Sequence, residues 1–331
     1  RNDQNHYTGT FKDLAGTVVG SVLKESGQEN YVVASTGNIA NAYAKYLAKA
    51  DINLYAFIPH NSSKLQEAQI QAFGQRVFRV NGDYAKAKQM AADFAVEHNF
   101  PLAAGNFDPM RVEAKKIMVY EWLRNLPDFP TVYIQALSGG TGPLGIEKAF
   151  AELEPYNVVD KLPRQILIQS NKCDPMAQAW KKAKNNDFPE GWKNDYPIIK
   201  NPVTEIPTLS TGNPKTFPVI GDFVRKTNGE IIASEEEKSV DIAKLVAMET
   251  NVLMGPAAAL PVSGLFDAFK QGYIKNGDVV VINIGEGINR SPSFMEKFLS
   301  VNKMVNTVNE CETYDRGKIK DKLWKTIYSN Y

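Results

Sequence analysis

The sequence predicts an α/β fold in which helices cover both faces of parallel β-sheets. Two observations support this prediction. Short runs that are apolar throughout alternate with longer segments of helical periodicity, and three of the apolar runs end in loops rich in glycine or hydroxyl residues. Continuous apolar strands are typical of parallel sheets that helices bury on both faces. A length of 331 residues is sufficient for two domains.

The first half of the chain has the clearest alternation. Strands are predicted at Tyr31–Ala34, Leu54–Ile58, Val77–Val80 and Pro101–Ala104. Helices are predicted at Ile39–Ala50, Leu65–Phe73, Tyr84–Glu97 and Met110–Leu126. Asp83 directly precedes one of these helices, where an aspartate side chain can accept from the unpaired N–H groups of the first turn.

The second half is less regular. Two prolines in "NLPDFP" (125–130) indicate a boundary, and apolar strands are predicted at Val132–Leu137, Ile166–Gln169 and Val279–Ile284. The segment 184–218 is predicted to be a long irregular insertion near a functional surface, and "SEEEK" (234–238) a solvated helix start. We expect a small domain over 29–131 and a large domain formed by 1–28 together with 132–331.

Composition excludes several classes of function. The 38 Lys and Arg residues nearly balance 37 Asp and Glu residues, so no net field favours nucleic acid or an acidic membrane surface. No run of about 20 apolar residues predicts a membrane span, and no signal peptide is visible. Two cysteines are too few for a disulfide framework, which favours a reducing cytoplasm. The three histidines lack metal-ligand spacing, and Asp108, Glu113 and Glu286 are interpreted as capping or solvated side chains.

Three loops follow predicted strands, where parallel sheets bind ligands. In "ASTGN" (34–38), hydroxyls and the first amides of the next helix form a potential anion site, although an ordinary helix cap fits equally well. In "SGGTG" (138–142), the glycines allow the backbone to approach a phosphate, yet neither a Walker nor a dinucleotide spacing is present. In "NIGEGINR" (283–290), glycines again permit close approach, and a simple turn is the alternative.

Lys12 lies in "TGTFKDLAG" (8–16), between an aromatic and an acidic residue. Most lysines are surface charges, and that is the alternative here. An amine, a phosphate loop and an anion-binding helix start together match one ligand, pyridoxal phosphate carrying an amino acid. A lysine holds this cofactor as a Schiff base, and its ring accepts electrons from the substrate.

The motifs "TFKD", "ASTGN", "NFDPMRVEAKK" and "GGTG" occur in this order from about Thr8 onward. The chain thereby resembles the threonine synthase branch of fold-type-II pyridoxal-phosphate-dependent enzymes. The segments "LKESG", "QALSGGTG", "QSNKCDPMAQAW" and "VINIGEGINR" are also similar to cysteate synthases. The resemblance implies a two-domain fold like that of the tryptophan synthase β subunit, a mobile small domain that closes on the substrate, a cofactor-binding large domain and a homo-oligomer.

The resemblance also implies roles for individual residues. Lys12 would be the Schiff-base lysine and the base that moves protons at Cα and Cβ. Asn38 would bond the cofactor's ring oxygen, Ser138, Gly139, Gly140, Thr141 and Gly142 would hold its phosphate, and Asn283 would lie near its ring nitrogen. The substrate carboxylate would be bound by Ser35, Thr36 and Gly37. The candidate ligands of the substrate phosphate are Arg111, Lys215 and Arg290.

Three departures from the family pattern matter. Leu14 stands where threonine synthases place an arginine, which weakens the case for O-phosphohomoserine. Ile284 takes the place of the hydroxyl residue that faces the ring nitrogen; either Asn283 substitutes, or the register differs by one, or the nitrogen has no polar partner. The family carries many residues before the lysine helix where this chain has eleven, so we expect a trimmed N-terminus.

Three functions fit these features. The first is β-replacement on O-phosphoserine with a nucleophile such as sulfite, as in cysteate synthases. The second is threonine synthesis from O-phosphohomoserine. The third, from a different class, is a non-catalytic binder of pyridoxal phosphate or phospho-amino acids.

Overall fold

A computed structural model of the chain describes residues 1–159, 161–299, 306–311, 313 and 315–328. The strands are β1 (Asn30–Ala34), β2 (Asn53–Pro59), β3 (Arg76–Val80), β4 (Val132–Ala136), β5 (Arg164–Ser170), β6 (Glu230–Ser234) and β7 (Val280–Ile282). The helices are α1 (Lys12–Glu25), α2 (Asn38–Lys49), α3 (Lys64–Ala72), α4 (Tyr84–His98), α5 (Pro109–Glu113), α6 (Ile117–Asn125), α7 (Thr141–Leu153), α8 (Pro175–Asn185), α9 (Phe217–Lys226), α10 (Ser239–Thr250), α11 (Pro256–Lys270), α12 (Pro292–Glu296) and α13 (Arg316–Tyr328).

The strands form two separate parallel sheets. The first has the order β1-β2-β3, and the second has the order β6-β5-β4-β7. The central strands are buried as the apolar runs predicted, for example at Val32, Ile134 and Ile168, which have no exposed surface. The predicted α/β class with parallel sheets covered by helices is confirmed.

Helix α1 packs closely on α2 through two glycines. A Cβ on Gly16 would lie 3.0 Å from the carbonyl oxygen of Ala42, and one on Gly20 would lie 3.3 Å from that of Tyr46. The apolar face of α1 joins the same buried cluster as β1 and α2. Lys12 is the first residue of this closely packed helix.

Several predicted elements differ from the observed ones. The segment Pro101–Ala104 forms a single bridge to β1, at Leu102, rather than a strand. The predicted helix Met110–Leu126 is interrupted by a 3-10 turn at Ala114–Lys116. At this turn α7 comes so close that a Cβ on Gly145 would lie 2.9 Å from the carbonyl oxygen of Val112.

The region around β6 was predicted least well. Strand β6 itself was not predicted, and "SEEEK" is not fully solvated, because Glu236 is buried. Its carboxylate accepts from Ser170 Oγ at 2.6 Å and from the backbone N–H of Glu205 at 3.0 Å. The segment 184–218 is irregular as predicted, and Glu236 connects its middle part, at Thr204 and Glu205, to the second sheet. None of the described helices is long and apolar enough to cross a membrane.

The predicted division into a domain at 29–131 and a larger remainder stays a prediction, as does closure of the smaller part over a ligand. We expect crystal structures with and without ligand to differ by a rigid-body rotation of the first sheet relative to the second. Superposition of the two structures on the second sheet measures this rotation. If the first sheet then superposes within coordinate error, closure does not occur.

Candidate active site

A cavity of about 590 Å³ opens at the C-terminal ends of β1 and β4. Parallel sheets bind ligands at this edge because loops and helix N-termini converge there. Residues from all three glycine-containing loops line the cavity. Of the predicted site residues, those that line it are Lys12, Ser35, Thr36, Asn38, Arg111, Ser138, Gly139, Gly140, Thr141, Gly142, Lys215 and Asn283.

The amine of Lys12 lies deep in this cavity, at the first residue of α1. It is 4.2 Å from the centre of the Phe11 ring. Burial, with a smaller contribution from the charge of Arg111, lowers the pKa of Lys12 to about 7, while Glu286 opposes this change. At neutral pH a large fraction of the amine is therefore unprotonated, which is the form that attacks a carbonyl group.

The "SGGTG" loop leads into the N-terminus of α7, and it is packed so closely that only glycine fits at three of its positions. Gly140 has a φ of +75° and is the N-cap residue of α7. A Cβ on Gly139 would overlap Asn106, and one on Gly142 would overlap Gln135. Because the loop and the first residues of α7 line the cavity, a phosphate can approach the first helical amides, and the helix dipole favours a negative charge there.

We expect Gly140→Ala to destabilise the protein more than Gly74→Ala. Both positions have a positive φ, which costs about 1 to 3 kcal/mol for alanine. The Cβ at position 140 would also overlap Ile220, which adds about 1 to 3 kcal/mol, whereas the space around Gly74 is open. Urea unfolding of the two variants measures the difference. Equal losses of stability would mean that the loop can relax away from Ile220.

The "ASTGN" loop forms the helix cap that was one of its two interpretations, and anion binding there stays a prediction. Ser35 Oγ accepts from the N–H groups of Gly37 at 2.9 Å and of Ala40 at 3.4 Å, so it caps the start of α2. Its hydroxyl proton remains able to donate to an anion. Gly37 does not line the cavity; its φ of +138° turns the chain, and a Cβ there would overlap Gln66.

Asn38 is held by a polar network that the sequence did not reveal. Its Nδ2 donates to Glu286 at 3.2 Å, and its Oδ1 accepts from Arg290 Nη2 at 3.0 Å. Arg290 also donates to Gln69, and it does not line the cavity. Arg290 thus reaches the cavity only through Asn38, whose side chain it orients, and its predicted role as a phosphate ligand stays a prediction that this placement does not favour.

Glu286 was interpreted as a capping or solvated side chain, and it caps a helix: its carboxylate accepts from the backbone N–H of Ala257, in the first turn of α11, at 3.1 Å. It is buried and lines the cavity, rather than being solvated. Burial raises the pKa of its carboxyl, although hydrogen bonds from the backbone of Ala257 and from Asn38, and the charge of Arg290, oppose the change. The motif "GEG" does not indicate whether the Glu286 side chain points into the protein, because a loop lacks the periodicity that identifies the buried face of a helix or strand.

Besides Lys12, three basic side chains line the cavity within the described part of the chain: Lys88, Arg111 and Lys215. Arg111 is buried, donates from Nη1 to the carbonyl oxygen of Gly105 at 2.5 Å, and has no partner for its Nε among the described residues. Asp108, which caps α5 as expected through the N–H of Met110, lies close by in sequence. Lys215 is exposed and lies at the cavity wall. An anionic ligand would meet Arg111 in the interior and Lys215 toward solvent.

Asn283, and not Ile284, faces the cavity. Asn283 is buried and lines it, while Ile284 packs into an apolar cluster beneath α11. Strand β7 ends at Ile282, two residues earlier than predicted. The first of the alternatives considered from the sequence, in which Asn283 substitutes for a hydroxyl residue, agrees with this placement.

The arrangement combines an amine of low pKa, a helix N-terminus open to a phosphate, and a second anion site of hydroxyls and cations. It suits a ligand with a carbonyl group and a phosphate, bound beside a second, anionic molecule. Within the described part of the chain, no group of three His, Cys, Asp or Glu side chains is placed to hold a metal ion.

Comparisons with known proteins agree with this chemistry. The family model described as pyridoxal-phosphate dependent enzyme matches residues 1–285. Threonine synthase of Methanocaldococcus jannaschii is 28% identical over 291 residues, covering 87% of this chain and 69% of the relative. Cysteate synthase of Methanothrix thermoacetophila is 28% identical over 293 residues, covering 86% and 68%.

Solved structures share the fold at low sequence identity. Threonine deaminase isoform 2 from Solanum lycopersicum, in its processed form, has a TM-score of 0.73 at 16% identity, with 90% of this chain and 76% of that chain covered. O-ureido-L-serine synthase has a TM-score of 0.68 at 14% identity, with 92% and 88% covered. At these identities the likeness shows the fold alone.

Proposed function

The chain belongs to the family of pyridoxal-phosphate dependent enzymes, and from that premise we propose that it catalyses β-replacement on O-phospho-L-serine, with sulfite as the nucleophile. The observation that carries the substrate choice is Leu14, the position at which the resemblance to threonine synthases leads us to expect an arginine. Leu14 packs into an apolar cluster with α6 and α7 and does not line the cavity, so it supplies no cation to a substrate phosphate. Threonine synthesis from O-phosphohomoserine is the alternative, since both kinds of synthase are relatives of similar identity.

The described residues fit the cofactor. The glycine loop before α7 would hold its phosphate, since Gly139, Gly140 and Gly142 line the cavity at the N-terminus of that helix. Lys12 offers an amine of low pKa, and Asn283 has a buried Oδ1 with no partner among the described residues. Bound pyridoxal phosphate supplies an aldehyde that joins an amine and a ring that stabilises negative charge on carbon.

Residues of the chain would then direct the reaction. Ser35, Thr36 and the first amides of α2 hold the substrate carboxylate. Lys12 takes the proton from the substrate Cα, and its low pKa suits a base that works near neutral pH. Arg111 and Lys215 hold the phosphate of the substrate as it leaves, where a phosphomonoester carries nearly two negative charges.

We expect Lys215→Ala to raise the KM for O-phosphoserine while the bound cofactor is retained. Lys215 lies at the wall of the cavity and is exposed, so its loss removes an attraction for the substrate phosphate and leaves the interior unchanged. An exposed charge contributes a modest amount, so we expect about a three- to tenfold effect. Initial rates of phosphate release across substrate concentrations measure it.

Arg290→Ala is the informative comparison for that measurement. Because Arg290 donates to Asn38 rather than lining the cavity, its loss should weaken cofactor retention as well as substrate use. A Lys215→Ala protein that loses cofactor to the same extent as Arg290→Ala would remove Lys215 from the substrate site.

Two further properties are proposals of the same kind. We expect a homo-oligomer, which light scattering of the purified protein measures. We also expect a cytoplasmic location, since both cysteines, Cys173 and Cys311, are free thiols. Fractionation of the source cells tests the location.

A further inference from the structure

We infer that Asp3 fixes the orientation of the Asn283 side chain, and that the ring nitrogen of the bound cofactor consequently carries a proton. This inference rests on the proposed binding of pyridoxal phosphate. It concerns a contact between the N-terminal segment and the loop after β7, which lies behind the cavity.

The orientation of the Asn283 amide follows from its neighbours. One end of the amide lies 2.9 Å from Asp3 Oδ2 and 3.6 Å from Met118 Sδ. Both neighbouring atoms are acceptors, so the NH₂ group must occupy this end. A rotated amide would bring its oxygen against a carboxylate oxygen inside the protein, which is strongly unfavourable.

Asp3 is well suited to impose this orientation. It is buried, and it also accepts from His6 Nε2 and forms an ion pair with Arg1. Although burial alone would raise its pKa, the hydrogen bond from His6 and the charge of Arg1 hold the pKa of Asp3 below its usual value. The carboxylate is therefore ionised and can only accept hydrogen bonds.

The opposite end of the amide is consequently an acceptor that lacks a donor. Asn283 Oδ1 is buried without a partner among the described residues. It lies beside Gly285, another residue of the cavity wall, where a Cβ would be 2.9 Å from it. A buried acceptor left in this state is costly unless a ligand supplies a donor.

A pyridine nitrogen can be either the acceptor or the donor of a hydrogen bond, depending on whether it carries a proton. The neutral nitrogen accepts, and two acceptors facing each other repel. The protonated nitrogen donates, and it matches a fixed amide oxygen. A hydroxyl group at this place could serve either form, because its proton rotates. The Asp3–Asn283 pair thus selects the protonated ring, which withdraws electrons from the substrate more strongly than a neutral ring does.

The test is the ¹⁵N NMR spectrum of the full chain loaded with cofactor labelled at the ring nitrogen. We expect the wild-type resonance in the range of a protonated pyridine. Asn283→Leu should move it to the range of a neutral pyridine. Asp3→Asn should diminish the protonated signal, because an amide at position 3 permits Asn283 to rotate. Met118→Leu, which replaces the other neighbour of the Nδ2 atom, should leave the resonance unchanged.

Each contrary result has a distinct meaning. A bound cofactor with a neutral ring nitrogen in the wild-type protein would overturn the inference even if Asn283→Leu does not fold. A full protonated signal in Asp3→Asn, or its loss in Met118→Leu, would also overturn the assigned role of Asp3. If the wild-type protein binds no labelled cofactor at all, the proposed function itself fails and the inference fails with it.

Discussion

A Lys12→Ala protein is expected to lose its covalently held cofactor and at least about 10³-fold in turnover, since both attachment and proton transfer at Cα depend on this amine. The structure supports the assignment by placing the amine in the cavity with a pKa of about 7. Absorbance of the dialysed protein measures the bound cofactor, and borohydride reduction followed by peptide mapping locates the lysine to which it is attached.

The matched control is Lys88→Ala, because Lys88 is another lysine that lines the same cavity. Lys88 lies 4.8 Å from the centre of the Tyr84 ring at the edge of the first sheet. We expect this variant to keep the absorbance of the bound cofactor. A reduced cofactor adduct in Lys12→Ala, or its loss in Lys88→Ala alone, would contradict the assignment of Lys12.

The fold was predictable where burial leaves a continuous apolar run. β1, β2 and β4 each carry such a run, and each was predicted to within two residues. β6 was missed because it begins with Glu230, a buried carboxylate that accepts from Lys184 and from Trp180. A charged residue at the start of a short run conceals a strand when its partners lie more than 40 residues away in sequence.

The motifs of the site could be predicted from the sequence, but the directions in which its side chains point could be predicted less well. The glycines of "SGGTG" and the position of Lys12 follow from local sequence, because a phosphate loop needs particular residue types in a row. The burial of Glu286 and the contact of Arg290 with Asn38 depend on how distant loops meet. Asn38 and Arg290 are separated by 252 residues, so no periodicity relates them.

Activity with O-phosphoserine is expected to exceed activity with O-phosphohomoserine by about tenfold or more, a range reasonable for one misplaced methylene and a lost charge partner. Leu14 packs against apolar neighbours of α6 and α7, so the cation that would hold the longer substrate is missing there. Arg111 remains, and it lies close enough to Lys12 to lower the pKa of that amine. A cation so near the reacting carbon suits the phosphate of the shorter substrate.

Phosphate release from each substrate, with sulfite supplied alongside O-phosphoserine, measures the ratio of the two kcat/KM values. Leu14→Arg should leave this ratio close to the wild-type value, as should Leu14→Met, which keeps an apolar side chain of similar volume, because position 14 faces an apolar cluster and does not line the cavity. Efficient formation of threonine from O-phosphohomoserine, without turnover of O-phosphoserine and sulfite, would make the protein a threonine synthase. In that case Arg111 and Lys215 would have to bind the more distant phosphate without help from position 14.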